Sequence, residues 1–515
     1  SAAHVCDYAA DLRMAQDGDG MTLATARLAG YADRTAIVCG AGQTTYGQLD
    51  AASARVAAAL LEGGADLEEA RVAVLARPGR DYVDALMGIW RAGGVAVPLC
   101  VSHPRPELEY VLNDSGAALV LADRAMAGPA LEVADAAGAR VLTLASALSA
   151  APSRDPDVCE DRRALILYTS GTTSRPKGVV TTHANIAAQV TSLVQAWEWT
   201  EEDRILHVLP LHHIHGIVNA LLCALWSGAS CDMMDGFGAG AVWSRILEGE
   251  ATLFMAVPTI YTRLIAEWER GSPAEQDAMT SAARGMRLMV SGSAALPVST
   301  LERWEEITGQ RLLERYGMTE IGMGLSNPLH GERVAGSVGS PLPSVQARLV
   351  GEDGDPVSDG APGEIEVAGP GVFREYWGKP DATEAGFREG WFRTGDVAIL
   401  EDGRYRILGR QSVDIIKTGG YKVSALEVES ALLQHDEISE CAVVGVADEE
   451  WGERVAAVIV TAAEGELTLA ALREWGKTRL AVYKVPSLLR VQEGLPRNVM
   501  GKVQKPAVRA LFESD

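Results

Sequence analysis

The segment YTSGTTSRPKG, residues 168–178, combines two glycines, five Ser/Thr hydroxyls and two cations directly after the apolar run 164–167. This composition is typical of a loop that binds phosphate. Hydroxyl and backbone N–H groups donate to phosphoryl oxygens, glycine lets the backbone approach closely, and Lys177 supplies a mobile positive charge. The alternative is a polar turn between a strand and a helix, because Ser and Thr are common turn residues.

A Walker A loop is a different phosphate-binding pattern, in which Gly-Lys is followed at once by Ser or Thr. Here Lys177 is followed by Gly178 and Val179. The segment therefore disfavours a P-loop motor or kinase.

Two later segments could supply more of a nucleotide site. In MRLMVSGSAALP, a predicted buried strand ends in a Gly292-Ser293 turn that would let a ligand approach closely. In LLERYGMTEIGMG, Tyr316 offers a flat face for a purine and Thr319 a hydroxyl. Glu320 offers a carboxylate for Mg²⁺, which prefers one or two carboxylates together with substrate phosphates.

The last third of the chain carries three further candidates. Asp396 ends WFRTGD and is suited to hold ribose hydroxyls, and Arg410 closes RYRILGR, a strand that would bring a guanidinium to the same region. A surface ion pair is the alternative for these two residues. Lys502 lies in a Met-Gly-Lys turn between Arg497 and Lys505, where a solvated basic surface is the alternative.

The segment LPLHHIHG places three histidines, His212, His213 and His215, between apolar runs. The spacing lacks the i, i+4 histidine pair of a helical zinc site, and no carboxylate ligand is nearby in sequence. Three interpretations remain: a metal site, which this spacing disfavours, histidines that pack in the core, and histidines that line a substrate pocket.

Length and charge narrow the class of protein. A chain of 515 residues exceeds what one core usually supports, so at least two domains are expected. The net charge of −23 argues against a nucleic-acid partner, and an anionic substrate would need a local basic site. No apolar run is long enough to span a bilayer.

The seven cysteines are scattered and form no CxxC pair, which predicts reduced thiols that pack in the core rather than bind metal. The first twenty residues are too acidic and too weakly apolar for a targeting peptide, although a processed start would look the same.

The order of predicted elements indicates an α/β fold. A strand at 71–75, a helix at 81–92 and a strand at 94–99 alternate, as in a mostly parallel sheet with helices on its faces. Residues 336–369 are rich in Gly and Pro with short strands, which indicates a small β subdomain. After a boundary near 409–414, a compact α+β domain follows, with a helix predicted at 469–480 and Thr468 as its N-cap.

In identity, order and spacing, the motifs between residues 160 and 505 resemble the adenylate-forming superfamily of acyl-CoA synthetases, luciferases and peptide-synthetase adenylation domains. LPLHHIHGIVNALLCALW, RLMVSGSAALP, ERYGMTEIGM and VDIIKTGGYKVSALEVE resemble in particular the malonyl-CoA synthetases of the eukaryotic mitochondrial branch. The resemblance implies an adenylation domain over 1–409, a hinge over 410–414 and a mobile α+β domain over 415–515. It also implies a location in the mitochondrial matrix, or else the cytoplasm.

The implied reaction is ligation of malonate, or also methylmalonate, to coenzyme A through an acyl-adenylate, with ATP and Mg²⁺. Lys502 would bridge the carboxylate and the α-phosphate, Glu320 would hold Mg²⁺, and Thr319 and His213 would complete the catalytic set. For ATP the resemblance implies contacts from Thr169, Ser170, Gly171, Thr172, Thr173, Lys177, Gly292, Ser293, Ala294, Glu314, Arg315, Tyr316, Gly317, Met318, Asp396 and Arg410.

For the thiol step, the resemblance implies that the small domain rotates and brings the Gly419-Gly420 loop to the pantetheine arm. The hinge residue would be Ser412, Val413 or Asp414, because this chain has one more residue here than luciferases have. The family usually has glycine where this chain has Ser174, and a serine would be strained there by about 1 kcal/mol if the position needs positive φ.

A dicarboxylate brings a second charge that costs several kcal/mol to bury unpaired. We expect Arg287, four residues before Ser291, to meet it with help from His213. The alternatives are another short-chain acyl-CoA synthetase, a carrier-protein-loading enzyme of the same fold, and a catalytically silent nucleotide-binding paralogue. Monomer and homodimer remain equally open.

Overall fold

A computed structural model describes residues 23–40, 42–169, 175–461, 467–497 and 503–512. The chain divides into two compact units. The first comprises residues 1–255, 318–322 and 370–383, and the second comprises residues 256–317, 323–369 and 384–515. No helix in the described ranges is both long and apolar enough to cross a membrane.

The strands of the first unit are short. They are β1 (Thr35–Cys39), β2 (Gly42–Thr45), β3 (Arg71–Leu75), β4 (Val95–Pro98), β5 (Leu119–Ala122), β6 (Arg140–Thr143), β7 (Arg163–Thr169), β8 (Lys177–Thr182), β9 (Arg204–His207), β10 (Ser230–Met233), β11 (Leu253–Ala256) and β18 (Glu375–Tyr376).

Helices alternate with these strands. They are α1 (Ala24–Arg27), α2 (Tyr46–Leu61), α3 (Arg80–Arg91), α4 (Arg105–Ser115), α5 (Ala127–Ala137), α6 (Leu144–Ala147), α7 (His183–Ala196), α8 (Cys223–Ser227) and α9 (Ala239–Leu247). A 3₁₀ turn covers Leu28–Tyr31, and a π-helix covers His215–Leu222.

One sheet of the first unit runs in the order β18-β8-β7-β4-β3-β5-β6. The pairs from β7 to β6 are parallel, whereas β8 pairs antiparallel with both β7 and β18. The central strands read VAVL and VAVP and are buried, as expected for strands covered by helices on both faces. The predicted α/β architecture with a mostly parallel sheet is confirmed.

The second sheet of the first unit joins β9, β10, β1 and β2. β10 lies parallel to β9 and to β1, and β2 closes the edge antiparallel to β1. Two helices that follow strands are fixed by capping boxes, in which Thr45 pairs with Gln48 before α2 and Thr182 with Asn185 before α7.

The second unit contains the remaining elements. Its strands are β12 (Leu288–Ser291), β13 (Leu313–Met318), β14 (Gly322–Ser326), β15 (Ser340–Pro341), β16 (Gln346–Val350), β17 (Gly363–Ala368), β19 (Phe387–Arg388), β20 (Trp391–Glu401), β21 (Arg404–Arg410), β22 (Ile415–Thr418), β23 (Tyr421–Ser424), β24 (Ile438–Asp448), β25 (Gly452–Thr461) and β26 (Leu488–Val491).

Its helices are α10 (Pro258–Arg270), α11 (Pro273–Arg284), α12 (Val298–Thr308), α13 (Pro380–Gly386), α14 (Ala425–Leu432), α15 (Leu469–Gly476) and α16 (Lys505–Ala510). β12 and β13 are parallel, and β16, β17, β20, β19 and β21 form an antiparallel sheet. Two strands of this sheet, β16 and β17, lie in the Gly/Pro-rich segment 336–369 that was predicted to form a small β subdomain, and the other three strands follow that segment.

The last hundred residues form a sheet in the order β23-β22-β25-β24, with β26 parallel to β25. Apolar side chains of α14 and α15 pack on one face, and Val508 of α16 packs on the other. Thr468 caps α15 as predicted, accepting from Ala471 N. The predicted extent of that helix is wrong, because it ends at Gly476, a poor helix former, rather than at Leu480.

A buried cation, the Lys505 ammonium, stabilises the last hundred residues, here called the C-terminal lobe. Lys505 Nζ bonds Glu429, donates to the Val443 carbonyl at 2.7 Å, and lies 3.5 Å from Asp414 Oδ1. Burial lowers the pKa of the Lys505 ammonium, but Glu429 and Asp414 more than offset this and raise the pKa. The lysine therefore stays charged in the folded lobe.

Replacing Lys505 by Met should leave Glu429 buried without a cation. Losing one partner of such a pair costs about 3–5 kcal/mol. We expect amide hydrogen exchange in β24 and β25 to report an opening free energy lower by about that amount. Lys422→Met is the matched control, since Lys422 forms an exposed 2.8 Å pair with Glu352 that is worth about 0–1 kcal/mol. Equal effects in the two variants would contradict the prediction.

Candidate functional site

The segment predicted to bind phosphate connects two antiparallel strands. β7 ends at Thr169 and β8 begins at Lys177, and these two residues are paired in register. Lys177 was expected in the loop, but it is the first residue of β8. Its ammonium lies 4.8 Å from the centre of the Tyr376 ring. Ser170, Gly171, Thr172, Thr173 and Ser174 lie outside the described residues.

Tyr376 also contacts Glu320, the predicted ligand of Mg²⁺. The tyrosine hydroxyl donates to Glu320 Oε1 at 2.8 Å, and Phe373 N donates to the Glu320 carbonyl at 2.7 Å. Glu320 is buried, in the turn that also contains Thr319. One tyrosine thus lies between the cation of β8 and this carboxylate. Nothing in the sequence around Tyr376 signals this role.

In the second unit, Asp396 is the centre of a network of three elements. It is buried on β20, opposite Arg410 of β21, and Arg410 Nε donates to Oδ1 at 3.0 Å. The Tyr316 hydroxyl of β13 donates to Oδ2 at 2.6 Å. Burial raises the pKa of the Tyr316 phenol well above its ordinary value, with Asp396 adding to the shift. The tyrosine therefore acts as a donor throughout the physiological range.

The turn after β12 lies against a buried guanidinium. A Cβ on Gly292 would overlap the Arg315 side chain, so any other residue there would require this side chain to move. Ser293 has φ of 68°, and Arg315 Nη2 donates to its hydroxyl at 3.4 Å. Burial lowers the pKa of Arg315 to about 9. Its Nε is buried without a hydrogen-bond partner in the part of the chain that is described.

Glu314 precedes Arg315 on β13, which also carries Gly317 and Met318. Glu314 Oε1 accepts from Leu296 N at 3.1 Å, and burial raises the pKa of the carboxyl to about 7. Ala294 is exposed at the tip of the turn. These residues of β13 and the turn after β12 are therefore brought together, as the predicted ATP site requires.

His213 lies two residues before the first residue of the π-helix, with its ring 4.1 Å from that of His212. Gly216 lies against the Pro210 carbonyl, and His207 Nε2 lies 2.9 Å from the Gly216 carbonyl. π-Helical turns are rare and often occur at functional sites. The structure also brings His212 to Cys100 and His103, two residues that sequence spacing did not connect with it.

Arg287, the predicted cation for a second carboxylate, is exposed and directly precedes β12. Ser291 and Gly292 follow at the opposite end of this strand. At a rise of about 3.3 Å per residue, the two ends are roughly 13 Å apart. The structure does not bring Arg287 together with the Gly292 turn.

The predicted hinge, residues 410–414, is a closed turn. Asp414 N donates to the Arg410 carbonyl at 2.7 Å, and Arg410 N donates to Asp414 Oδ2 at 3.1 Å. Gly419 and Gly420 form the turn between β22 and β23 with φ of 55° and 82°, a region that favours glycine. Lys502 lies outside the described residues.

Two models of known protein families match this chain. The model of the AMP-binding enzyme family matches residues 24–377, and that of the AMP-binding enzyme C-terminal domain matches residues 427–502. The mitochondrial malonate–CoA ligase ACSF3 of Homo sapiens is 47% identical, covering 94% of this chain and 90% of the relative. A malonate–CoA ligase of Arabidopsis thaliana is 42% identical, covering 94% and 87%.

Two solved structures are also similar. ATP-bound MatB from Rhodopseudomonas palustris has a TM-score of 0.88 at 35% identity, covering 96% of this chain and 99% of that one. A malonyl-CoA ligase ternary product complex with methylmalonyl-CoA and AMP has a TM-score of 0.67 at 38% identity, covering 90% and 97%.

Tyr316→Phe keeps the aromatic face but removes the donor to Asp396 Oδ2. An unsatisfied buried acceptor costs about 1–3 kcal/mol, so we expect the KM for ATP to rise about tenfold. Tyr405→Phe is the control, since it removes a hydroxyl that donates to the Ala347 carbonyl at 3.1 Å, at the far end of β21 from Arg410. Steady-state kinetics with ATP varied measures both. An equal KM in the two variants would contradict a role for the Tyr316–Asp396 bond.

Proposed function

This chain belongs to the AMP-binding enzyme family, and we propose that it ligates malonate to coenzyme A with ATP, through a malonyl-adenylate. The observation that supports this most directly is the similarity to malonate–CoA ligases of animals and plants, at 42–47% identity over 94% of the chain. AMP and pyrophosphate are the other products. Methylmalonate differs by one methyl group, which a pocket discriminates by only about 1–3 kcal/mol, so we propose it as a second substrate.

The chain has the adenylate-forming fold, with a large N-terminal α/β domain of mixed sheets and a small C-terminal domain. We assign the large domain to residues 1–409, the hinge to 410–414 and the small domain to 415–515. The closed turn between Arg410 and Asp414 is consistent with this boundary. Its two hydrogen bonds, one between backbone groups and one from Arg410 N to the Asp414 carboxylate, would change if the small domain rotates at Ser412, Val413 or Asp414.

The first half-reaction brings a carboxylate to the α-phosphorus of ATP, so one anion must approach another. Catalysis therefore depends on neutralising charge and on in-line positioning. We assign the β- and γ-phosphates to Lys177 and the loop before it, and the bridge between carboxylate and α-phosphate to Lys502. Glu320 and Thr319 offer the oxygen ligands that Mg²⁺ prefers, and a bound Mg²⁺ would neutralise phosphate charge.

The nucleoside is assigned to the second unit. Asp396 and Arg410 would hold the ribose hydroxyls, since a carboxylate has about four lone-pair sites and the protein bonds seen here use two of them. Tyr316 would lie on adenine, beside the Gly292-Ser293-Ala294 turn. The thiol step is assigned to the Gly419-Gly420 turn, which would meet the pantetheine arm of coenzyme A.

The second carboxylate of malonate needs a cation. The positions of the two candidate arginines in the fold favour Arg263 over Arg287. Ligands of parallel sheets bind at the carboxyl ends of the strands. α10 begins two residues after β11, and Gly292 N donates to the carbonyl of Ala256, the last residue of β11, at 3.3 Å. Thr259, Thr262 and Arg263 share the exposed face of the first turns of α10.

Two alternatives keep the fold and change the chemistry: another short-chain acyl-CoA synthetase, or an enzyme that loads a carrier protein. We also propose that the protein acts in mitochondria, because relatives at 46–47% identity are named as mitochondrial.

A pyrophosphate-release assay across acetate, malonate, methylmalonate and succinate tests the proposed function. We expect malonate to be preferred, and steady turnover to depend on added coenzyme A, since the thiol removes the adenylate. Acetate preferred over malonate would overturn the dicarboxylate assignment. Turnover that does not respond to coenzyme A would overturn the acceptor.

Arg263→Ala and Arg287→Ala form a matched pair that locates the cation. Burying an unpaired carboxylate costs about 3–5 kcal/mol, so we expect Arg263→Ala to lower kcat/KM for malonate by about a hundredfold or more, with the KM for ATP unchanged. Arg287→Ala should leave both parameters close to wild type, because Arg287 lies at the amino end of β12, the end opposite the Gly292 turn. A loss confined to Arg287→Ala would reverse the assignment.

A further inference from the structure

Cys100, His103 and His212 form a cluster in the first unit, outside the ATP-binding residues. One potential ligand atom from each, a thiol sulfur or a ring nitrogen, lies within 4.8 Å of the other two. Cys100 follows the carboxyl end of β4, His103 comes just before α4, and His212 lies in the segment after β9. The segment between β4 and α4 and the segment after β9 thus bring three metal-ligating side chains together.

We propose that Cys100, His103 and His212 bind a divalent transition-metal ion of the Zn²⁺ class, with a fourth position open to water. Thiolate and imidazole are the ligands that Zn²⁺ prefers, whereas Mg²⁺ and Ca²⁺ prefer oxygen. Three protein ligands and one open position is a common arrangement for Zn²⁺. This site is therefore distinct in chemistry from the one assigned to Mg²⁺ at Glu320.

The surroundings of His103 support this assignment. His103 Nδ1 lies 3.1 Å from Glu107 Oε2, one helical turn further along the chain. A carboxylate on one ring nitrogen orients the imidazole and leaves the other nitrogen for a metal, and metal-binding histidines almost always have such a partner. Glu107 therefore acts as a positioning residue for His103.

The surroundings of the other two proposed ligands, Cys100 and His212, also suit a metal ion. Cys100 is 5% exposed, and its sulfur lies 3.2 Å from the Ser102 hydroxyl. The rings of His103 and His212 both lie within hydrogen-bond reach of this sulfur. His212 Nε2 is buried with no hydrogen-bond partner among the described residues. Any proton still on the sulfur passes to solvent when the ion binds.

Cobalt(II) is the probe that tests this site, because a thiolate ligand gives it a charge-transfer absorption that free Co²⁺ lacks. Chelator-treated, tag-free full-length protein is titrated with Co²⁺, and Zn²⁺ is then added as competitor. We expect one equivalent of Co²⁺ to give the thiolate band and tetrahedral d–d bands, and Zn²⁺ to remove both. Absence of the thiolate band from the wild-type protein would overturn the proposal.

Variants identify the ligands. Removing an outer partner of a metal ligand costs about 10–100-fold in affinity, so Glu107→Gln should weaken binding by about that factor. Cys100→Ser is nearly isosteric and should abolish the thiolate band and weaken metal binding by at least about a hundredfold. His103→Gln should weaken metal binding by the same factor. Cys159→Ser is the control, because it removes an exposed thiol and should leave the band unchanged.

A thiolate band that persists in Cys100→Ser would overturn the assignment. The readout is metal binding rather than turnover, so this result is independent of whether malonate is the substrate. Retained ligase activity in Cys100→Ser would agree with the proposal, since Cys100 has no assigned part in the reaction.

Discussion

The pair of hydrogen bonds to the buried Asp396 carboxylate is the constraint on which the site that we propose for the nucleoside depends. Its two oxygens accept from Arg410 and from Tyr316, so β20, β21 and β13 are tied together at one buried charge. Burying this carboxylate unpaired would cost several kcal/mol. The same two bonds orient the tyrosine ring that we assign to adenine and the guanidinium that we assign to ribose. In the function that we propose, folding and nucleotide recognition rely on the same hydrogen bonds.

Local patterns in the sequence predicted much of the fold. Runs such as RVAVL identified the buried strand β3 with its exact bounds, and Thr468 was recognised as the cap of α15. These features depend on neighbouring residues, which a sequence displays directly. The predicted end of α15 is too late, because Leu480 keeps helical spacing with Leu472 although the helix itself ends at Gly476.

Contacts between distant segments could not be predicted in this way. Tyr376 contacts both Lys177 and Glu320, yet its own neighbourhood gives no sign of it. Arg287 looked suitable because it precedes Ser291 closely in sequence, but an extended strand separates their positions in space. Cys100 and His212 are likewise far apart in the chain, so the absence of a CxxC or helical histidine pattern said nothing about their meeting in the fold.

The contact between Gly292 and Arg315 restricts how this protein can change over time. No side chain larger than hydrogen fits at position 292 while the Arg315 side chain keeps its observed position, and the guanidinium itself is buried with one nitrogen lacking a partner among the described residues. A substitution at 292 requires the Arg315 side chain to move or to become smaller, whereas a change at 315 alone leaves a cavity but no overlap. The order of the two substitutions therefore matters: an evolutionary path that replaces Gly292 meets less steric overlap if it begins at position 315 on β13.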